Sequence, residues 1–336
     1  MMNEKQDDFL FDETKTKKLM RKARLRSTIK IIGITIIVTP IVLIGFWYGL
    51  RTLSLNSAQE VMDDIRVYKE ISSPNVQISN QTYDYNLFGG KINTTTYKVL
   101  GENHRPYIWE PVENDYNLFG TLFNYSSGSI QIEGSDSLAK HNQIERFNLQ
   151  TGDREMFFYH PEISYDVYKD NMNELNQFEK NTLVELGLSF DKAYHFEEIK
   201  SKLPSDVQVD WWWVDAYTEE RMDFLKQGQN TIPANYPLIF GFQSEQSKPK
   251  AQQSELLEHN EITSFINNIE SLRESKNFKW ETDEVYKALV GKDGVLDQSD
   301  VKIIGVVVTG TPDQLKSLQG QPYIMASTFG VISNRK

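Results

Sequence analysis

The feature that most constrains this chain is a run of 20 uncharged, mostly apolar residues at positions 31–50, IIGITIIVTPIVLIGFWYGL. A helix rises about 1.5 Å per residue, so roughly 20 apolar residues are just enough to cross a hydrocarbon core of about 30 Å. In water such a helix would expose its apolar surface, whereas in lipid its backbone groups are satisfied internally. The sequence therefore predicts one transmembrane helix at residues 31–50, in which Pro40 is a candidate kink.

The charges that flank this helix predict its direction. Residues 1–30 hold nine Lys and Arg against five Asp and Glu, a net charge of +4, while the remaining 27 basic and 42 acidic residues give −15. Because basic flanks stay on the cytoplasmic side of a span, we expect a cytoplasmic N-terminus and an extracytoplasmic region from residue 51 to residue 336. Trp47 and Tyr48 are then placed at the outer interface, where aromatic residues anchor spans.

A cleaved signal peptide is the alternative interpretation of the same segment. Signal peptides combine a short basic leader, an apolar region of about 7–15 residues and small residues at the cleavage site. Here 30 residues precede an apolar run of 20, and Leu55-Asn-Ser-Ala58 is a poor cleavage site. We therefore expect a retained anchor.

The composition excludes several classes of chemistry. The sequence has no cysteine and its net charge is −11. The first property excludes disulfides, thiolate metal sites and cysteine nucleophiles, and the second argues against direct nucleic-acid binding by the whole protein. The histidines lack the i, i+4 spacing of a helical zinc site; they are His104, His141, His160, His195 and His259. No phosphate loop, nucleophilic serine motif or glycosidase-like carboxylate pair can be singled out, so we expect no metal, cofactor or catalytic residue.

The first half of the outer region is predicted to be rich in strands. Residues 55–68 have the apolar spacing of an amphipathic helix, which Pro74 brings to an end. The next 90 or so residues are rich in Asn, Gly, Thr and Tyr and contain short alternating runs such as residues 128–133. We assign residues 51–169 to a β-rich subdomain with a leading helix.

The second half, residues 170–336, is predicted to mix helices and strands. Helical spacing begins at residue 170 and continues through Leu183 and Leu186. Strands are predicted at residues 188–194, 207–217, 238–242, 302–308 and 323–331, and helices at residues 196–202, 255–274 and 282–290. Thr311 and Pro312 are suited to begin a helix between the last two strands, which gives a βαβ-like ending. The pattern predicts an α+β (mixed α/β) fold for the outer region.

The string WWWVDAY at residues 211–217 carries half of the six tryptophans. In a strand, alternate residues point to opposite faces. One face would hold Trp211, Trp213, Asp215 and Tyr217, and the other Trp212, Val214 and Ala216. Three tryptophans on a solvated strand would form a large apolar patch, so we expect a core strand, covered on both faces, with hydrogen-bonded indoles. The alternative is a ligand or partner surface made by the first set.

The pentapeptide YNLFG occurs twice, at residues 85–89 and 116–120. One interpretation is a pair of similar turns at strand ends, in which Leu and Phe pack inward and Gly adopts a positive φ. The other is a paired surface for a ligand or partner.

The segment before the span, residues 1–30, is too short to bury a core of its own. It sets Phe9, Leu10 and Phe11 among acidic residues, and a basic stretch with Leu19 and Met20 follows. Such a segment is expected to fold on a partner through its apolar residues. The alternative is that residues 17–30 only fix topology and contact lipid, which leaves Phe9, Leu10 and Phe11 unexplained.

Taken in order, these features resemble the transmembrane sigma-factor regulators of Gram-positive bacteria and are similar to the anti-sigma-M proteins of bacilli. The resemblance rests on the tail at residues 9–30, the single anchor, the string at residues 207–217, and the closing segments GVVVTG at 305–310 and STFG at 327–330 with Leu315 and Leu318 between them. The zinc-type anti-sigma domain, with its His and Cys ligands, is not recognisable here.

The resemblance implies that the tail holds an extracytoplasmic-function sigma factor at the membrane while the outer domain senses or transmits envelope stress. The implied sigma contacts are Phe9, Leu10, Phe11, Leu19 and Met20. The implied partners are that sigma factor and the lipid bilayer, with a second small membrane protein as a further candidate. Two other classes stay open, a cell-wall enzyme and a structural subunit of a membrane complex.

Overall fold

A computed structural model of the protein describes residues 13–125, 130–133, 145–165, 167–227, 239–247, 260–291 and 294–333. The chain divides into two compact units, one ending at Leu53 and the other beginning at Ser54. The first unit includes the apolar run at residues 31–50, and the second includes the β-sheets.

The second unit has a first part, whose strands lie between residues 77 and 148, and a second part, whose strands lie between residues 183 and 333. The helices are α1 (Glu13–Ser72), α2 (Phe196–Lys202), α3 (Glu219–Gln227), α4 (Glu261–Glu274), α5 (Lys279–Leu289) and α6 (Pro312–Leu315). Helix α1 begins in the first unit and ends in the second. The strands of the first part are β1 (Gln77–Asn86), β2 (Gly89–Leu100), β3 (Arg105–Ile108), β4 (Val112–Asn117), β5 (Leu122–Tyr125), β6 (Ile130–Glu133) and β7 (Glu145–Asn148). Those of the second part are β8 (Leu183–His195), β9 (Gln208–Val214), β10 (Phe240–Gln243), β11 (Lys302–Gly310) and β12 (Ile324–Ser333). The described residues thus form the expected mixed α+β fold.

The first sheet is antiparallel, with strand order β1-β2-β4-β5 and β3 paired to β2. Strands β6 and β7 form a separate two-stranded ribbon. In the first sheet, Gly89 at the start of β2 lies opposite Asn117 at the end of β4. The β1–β2 turn and the β4–β5 turn therefore lie side by side at one end of the sheet.

The second sheet has the order β10-β9-β11-β8-β12, with antiparallel neighbours throughout. Both β11 and β12 run antiparallel to β8, which lies between them, so they are parallel to each other. The predicted βαβ-like ending is therefore present, with β8 inserted between its two strands. The predicted helix start is also confirmed, since Thr311 and Gln314 form a capping box with Pro312 in the first turn.

The part of α1 that belongs to the second unit contributes to the cores of both sheets. Ala58, Val61 and Ile65 are fully buried against Ile92 and Tyr116 of the first sheet. One and two turns later, Tyr68 and Ile71 join the main core of the second sheet. The Tyr68 ring stacks on Phe278 with centroids 3.9 Å apart. The predicted amphipathic helix at residues 55–68 is confirmed, and it ends at Ser72, just before Pro74.

One helix prediction is wrong. The spacing predicts a helix from residue 170 through Leu186. Of these residues only Asn171–Gln177 are helical, and they form a 3₁₀ helix capped by Asp170. Leu183 and Leu186 lie in β8 instead. The first eight residues of β8 are all buried, and a strand covered on both faces carries apolar residues at helical as well as alternate spacings.

We expect Gly241→Ala in β10 to destabilise the second unit strongly. A Cβ at Gly241 would lie 1.9 Å from the Trp212 carbonyl oxygen and 2.6 Å from the Trp211 ring, so β10 could not stay paired with β9. Overpacking of this kind costs about 3 kcal/mol. The measurement is urea unfolding of the full chain in detergent, with tryptophan fluorescence as the probe.

The matched control is Gly310→Ala at the end of β11, where the nearest atoms belong to side chains, the closest being Gln314 Oε1 at 3.3 Å. We expect this variant to lose less than about 1 kcal/mol. Equal unfolding midpoints for the two variants would contradict the pairing of β9 with β10.

Candidate functional site

The basic segment of α1, residues 17–30, exposes every one of its side chains. Leu19 is 68% exposed and Met20 is 53% exposed, although both are apolar. Phe9, Leu10 and Phe11 lie outside the described residues. The structure thus places two of the five expected partner contacts next to each other on an accessible, positively charged helix.

The apolar run at residues 31–50 is also helical, and Pro40 lies within the helix. Among the described residues, one helix is long and apolar enough to cross a membrane, and its apolar segment is not buried by other parts of the protein. Large side chains there are exposed, for example Ile36 and Ile44 at 67% and 66%. Near its end the Arg51 guanidinium lies 5.6 Å from the centroid of the Trp47 ring.

The three tryptophans lie in β9, both of whose faces are covered as expected. The strand is shorter than predicted, since it ends at Val214 and not at Tyr217. Trp211 and Trp213 are fully buried with Met156, Phe158 and Val307 on one face. On the other face Trp212 and Val214 enter the main core. The prediction of hydrogen-bonded indoles is wrong for Trp211 and Trp212. Their Nε1 atoms are buried and have no hydrogen-bond partner among the described residues.

Beyond the end of β9, Asp215 and Tyr217 are only partly buried. Asp215 Oδ1 lies 3.2 Å from Nε2 of His160, whose side chain is 2% exposed. The Tyr217 ring meets the His160 ring edge to face at 4.9 Å, and burial raises the pKa of the Tyr217 hydroxyl well above its usual range. The structure brings Asp215 and Tyr217 together around His160, while Trp211 and Trp213 lie beneath the surface. A ligand or partner role for these four residues stays a prediction.

The two YNLFG segments form similar turns, as predicted. In the first, Asn86 Oδ1 accepts a hydrogen bond from the Phe88 amide at 2.8 Å, and in the second Asn117 Oδ1 accepts one from the Phe119 amide at 2.9 Å. The glycines that follow have φ values of +140° and +75°.

The expected inward packing of the phenylalanines is wrong. Phe88 is 72% exposed and Phe119 is 70% exposed. Helix α1 meets these turns through small polar side chains that bond to the turn backbone, which leaves the rings outside. Ser54 Oγ donates to the Gly89 carbonyl at 3.2 Å, and Ser57 Oγ donates to the Leu118 carbonyl at 2.7 Å.

A buried ion pair joins the two sheets. Lys98 Nζ on β2 lies 2.9 Å from Oε2 of Glu185 on β8, and their side chains are 4% and 0% exposed. The other carboxylate oxygen of Glu185 accepts from Asn75 Nδ2 at 2.8 Å, and Oε2 also accepts from the Val331 amide at 3.0 Å. Every oxygen of this carboxylate therefore has a donor, which is the condition under which a charge is tolerated in a core.

A second buried carboxyl lies near this pair. Asp210 accepts hydrogen bonds from Thr309 Oγ1 at 2.7 Å and from Gln208 Nε2 at 3.2 Å. Burial raises the pKa of Asp210 well above its usual range, the hydrogen bonds opposing this shift. The Thr309 hydroxyl on β11 also accepts a hydrogen bond from the amide of Gly101, which directly follows β2, at 2.8 Å. Asp210 is therefore connected to the first sheet through Thr309.

Lys98, Glu185 and Asp210 were missed by the sequence reasoning. A signal for two of them was available: Glu185 interrupts the apolar strand LVELGLSF, and Asp210 precedes three tryptophans. A charged residue inside a strand that is otherwise apolar indicates a buried, paired charge. Within the described ranges, no group of three His, Asp or Glu side chains is placed to hold a metal ion. His141 and His259 lie outside these ranges.

Two family models match the chain. Residues 17–104 match the sigma factor regulator N-terminal model, and residues 175–331 match the sigma factor regulator C-terminal model. The first match includes the basic segment with Leu19 and Met20, the apolar run and strands β1 and β2. No curated protein and no solved structure matches the chain. The chain therefore carries both the N-terminal and the C-terminal domain of the sigma factor regulators.

Proposed function

We propose that this chain is a membrane-anchored anti-sigma factor, in which residues 1–30 hold an extracytoplasmic-function sigma factor and the outer domain transmits envelope stress. The observation that carries the proposal is the match of residues 17–104 and 175–331 to the two sigma factor regulator domains. Regulators of this family are typically not enzymes, and their partner is a sigma factor. The resemblance to anti-sigma-M proteins of Gram-positive bacilli supports an extracytoplasmic-function sigma factor as the partner.

The membrane topology in this proposal follows from charge and length. Residues 31–50 have the length of a span, and the net charge of +4 on residues 1–30 favours their retention in the cytoplasm. A sigma factor acts in the cytoplasm, so the tail must lie there to reach it. The domain from residue 51 onward then faces the outside.

Capture of sigma requires the tail to compete with the core RNA polymerase. A dissociation constant near 10 nM corresponds to about 11 kcal/mol, which is within reach of a helix placed in an apolar groove. Leu19 and Met20 are exposed on a helix and so are available for such a groove. Phe9, Leu10 and Phe11 supply three further anchors in the proposal, and the basic side chains would orient the helix against acidic groups.

The role of the outer domain is supported by the packing of α1. Residues 58, 61 and 65 are held by the first sheet, and residues 68 and 71 by the second. A change in the angle between the sheets therefore changes how this part of α1 is held. The Lys98–Glu185 pair is placed at the junction that would have to shift.

We expect the double substitution Phe9→Asp and Phe11→Asp to abolish sigma capture. Each buried phenylalanine contributes about 1.5–3 kcal/mol, so losing two anchors lowers affinity by at least about 100-fold. The measurement is a pull-down with the full chain in mild detergent against the cytoplasmic proteins of the source organism. A parallel variant, Leu19→Asp with Met20→Asp, tests the contacts on the described part of the helix.

The matched control for the pull-down is Phe224→Asp, which changes a 69% exposed phenylalanine of the outer domain and should leave capture intact. Unchanged recovery of sigma by both tail variants would contradict the assigned contacts. Failure of the unmodified chain to recover any sigma factor would favour a structural subunit instead.

We expect protease added outside intact cells to remove the region after residue 51 and to spare residues 1–30. The physical reason is the retention of basic flanks on the cytoplasmic side of a span. The measurement is immunoblotting with tags at the two ends of the chain. Cells opened with detergent provide the control, in which both tags should be lost. An outer domain that is protected in intact cells would overturn the orientation.

We expect Lys98→Met to destabilise the outer domain by about 3–5 kcal/mol, because Glu185 would remain in the core without its cation. The double variant Lys98→Met with Glu185→Gln should recover part of that loss, since a neutral amide costs less to bury. The measurement is the thermal unfolding midpoint of the full chain in detergent, followed by tryptophan fluorescence.

The matched control is Lys91→Met, which breaks an exposed ion pair with Glu113 on the same sheet. Exposed pairs contribute little, so this midpoint should stay close to that of the unmodified chain. Equal shifts for Lys98→Met and Lys91→Met would show that the buried pair does not join the sheets.

A further inference from the structure

Two apolar tips project from one end of the first sheet. Phe88 and Phe119 are 72% and 70% exposed, and each lies at the tip of a turn without charged residues, YNLFGG at residues 85–90 and YNLFGT at residues 116–121. The turns are adjacent, because Gly89 pairs with Asn117. We call these two segments the Phe turns. Exposed apolar residues that cluster in this way indicate an interaction surface.

The Phe turns are tied to the beginning of the second unit. Ser54 and Ser57 donate hydrogen bonds to the carbonyl oxygens of Gly89 and Leu118, at 3.2 Å and 2.7 Å. Ser54 follows Leu50, the last residue of the apolar run, by four residues, and four residues span at most about 14 Å even when fully extended. Chain length keeps Ser54 near the membrane surface at which the proposed span ends, and the serine hydrogen bonds connect the Phe turns to that point.

Further aromatic rings accompany these tips. Tyr83 and Tyr85, on the strand that leads into the first Phe turn, are 42% and 41% exposed, with ring centroids 6.2 Å apart. Aromatic side chains are enriched at the level of the lipid headgroups, where the ring is partly dehydrated and polar groups stay wet. Neither turn carries a charged side chain of its own, and Lys276 Nζ, which lies 3.0 Å from the Phe119 carbonyl oxygen, contacts backbone and leaves the ring exposed. Uncharged aromatic tips suit a lipid interface better than a charged partner.

We propose that the Phe turns dock on the outer surface of the bilayer, with Phe88 and Phe119 inserted at the headgroup level. The outer domain is then held on the membrane at two additional points besides its anchor. This proposal rests on the membrane span of the proposed function, and it does not depend on the identity of the sigma factor.

The absence of cysteine from the chain allows a direct test with single-cysteine variants. Phe88→Cys and Phe119→Cys are each labelled with an environment-sensitive NBD fluorophore, and the full chain is placed in phosphatidylcholine nanodiscs. Quenching is then compared between a lipid that carries a nitroxide at headgroup depth and iodide in the buffer. We expect the lipid quencher to act severalfold more strongly than iodide at both positions, with no change in 0.5 M salt, since the contact is apolar.

Two control positions make the outcomes distinguishable. Ile108→Cys labels an 84% exposed apolar residue on β3. Ile108 pairs with Tyr97 of β2, and Tyr97 lies eight residues, or about 26 Å, along β2 from Gly89. It should be quenched by iodide alone. Val38→Cys lies inside the apolar run and should be shielded from iodide whether or not the Phe turns dock.

A shielded Val38 probe together with Phe88 and Phe119 probes as open to iodide as the Ile108 probe would overturn the docking and leave the span intact. The Phe turns would then be available to a protein partner. A Val38 probe open to iodide would remove the span itself, and the docking proposal with it. Because Phe88 and Phe119 are exposed, their replacement should leave the tryptophan fluorescence of the fold unchanged, and this is checked for each variant.

Discussion

The second unit, which begins at Ser54, depends on one helical segment that its two sheets share. Within α1, residues 58–65 fill the apolar face of the first sheet, and Tyr68 and Ile71 complete the core of the second. Removing the helix would expose Ile92 and Tyr116 on one side and leave Phe278 without its stacking partner on the other. The segment that directly follows the apolar run is therefore built into the centre of the domain.

The junction between the sheets is partly apolar and partly charged. Leu100 and Trp109 of the first part pack against Leu183 and Val331 of the second. Beside them lies the Lys98–Glu185 pair, whose burial is costly unless all its hydrogen bonds are made. Apolar contact tolerates small sliding, whereas an ion pair whose carboxylate also accepts from Asn75 and Val331 constrains direction as well as distance. The pair therefore fixes the relative position of the sheets more strictly than the apolar contacts around it.

Asp210 gives the same junction a dependence on pH. Its pKa is raised by burial in the folded protein, whereas in the unfolded chain an aspartate titrates near pH 4. A group with a raised pKa in the folded state contributes stability at low pH, and this contribution is lost as the pH rises from about 4 through the folded pKa. The buried carboxyl therefore stabilises the fold less at neutral pH than at low pH.

Local signals predicted much of the fold. The amphipathic helix before Pro74, the helix at residues 196–202, the capped turn at Thr311, the later part of β8 and the other strands of the second sheet follow from spacing and capping. The failures have a common cause. Leu183 and Leu186 were placed in a helix because a strand buried on both faces has no period of its own, and that burial is created by residues far along the chain. The same holds for Glu185, whose partner Lys98 is 87 residues away. The exposed position of Phe88 and Phe119 depends on serines in α1, which no local pattern connects to the turns.

In the proposed function, the Phe turns and the ion pair together indicate where the second unit could transmit a signal to α1. The first sheet is tied to α1 by apolar packing and by the serine hydrogen bonds at its turns. Docking of the Phe turns on the bilayer would hold the same end of this sheet. The second part is tied to α1 through Tyr68 and Ile71, which enter its core, and through Asp64, which accepts hydrogen bonds from Ser275 and Asn277. It is tied to the first sheet through the junction. A load on the second sheet is therefore shared among the Lys98–Glu185 pair, the Tyr68–Phe278 stack and the hydrogen bonds of Asp64. Since the stack lies on α1 itself, a shift there reaches the helix without first unfolding either sheet.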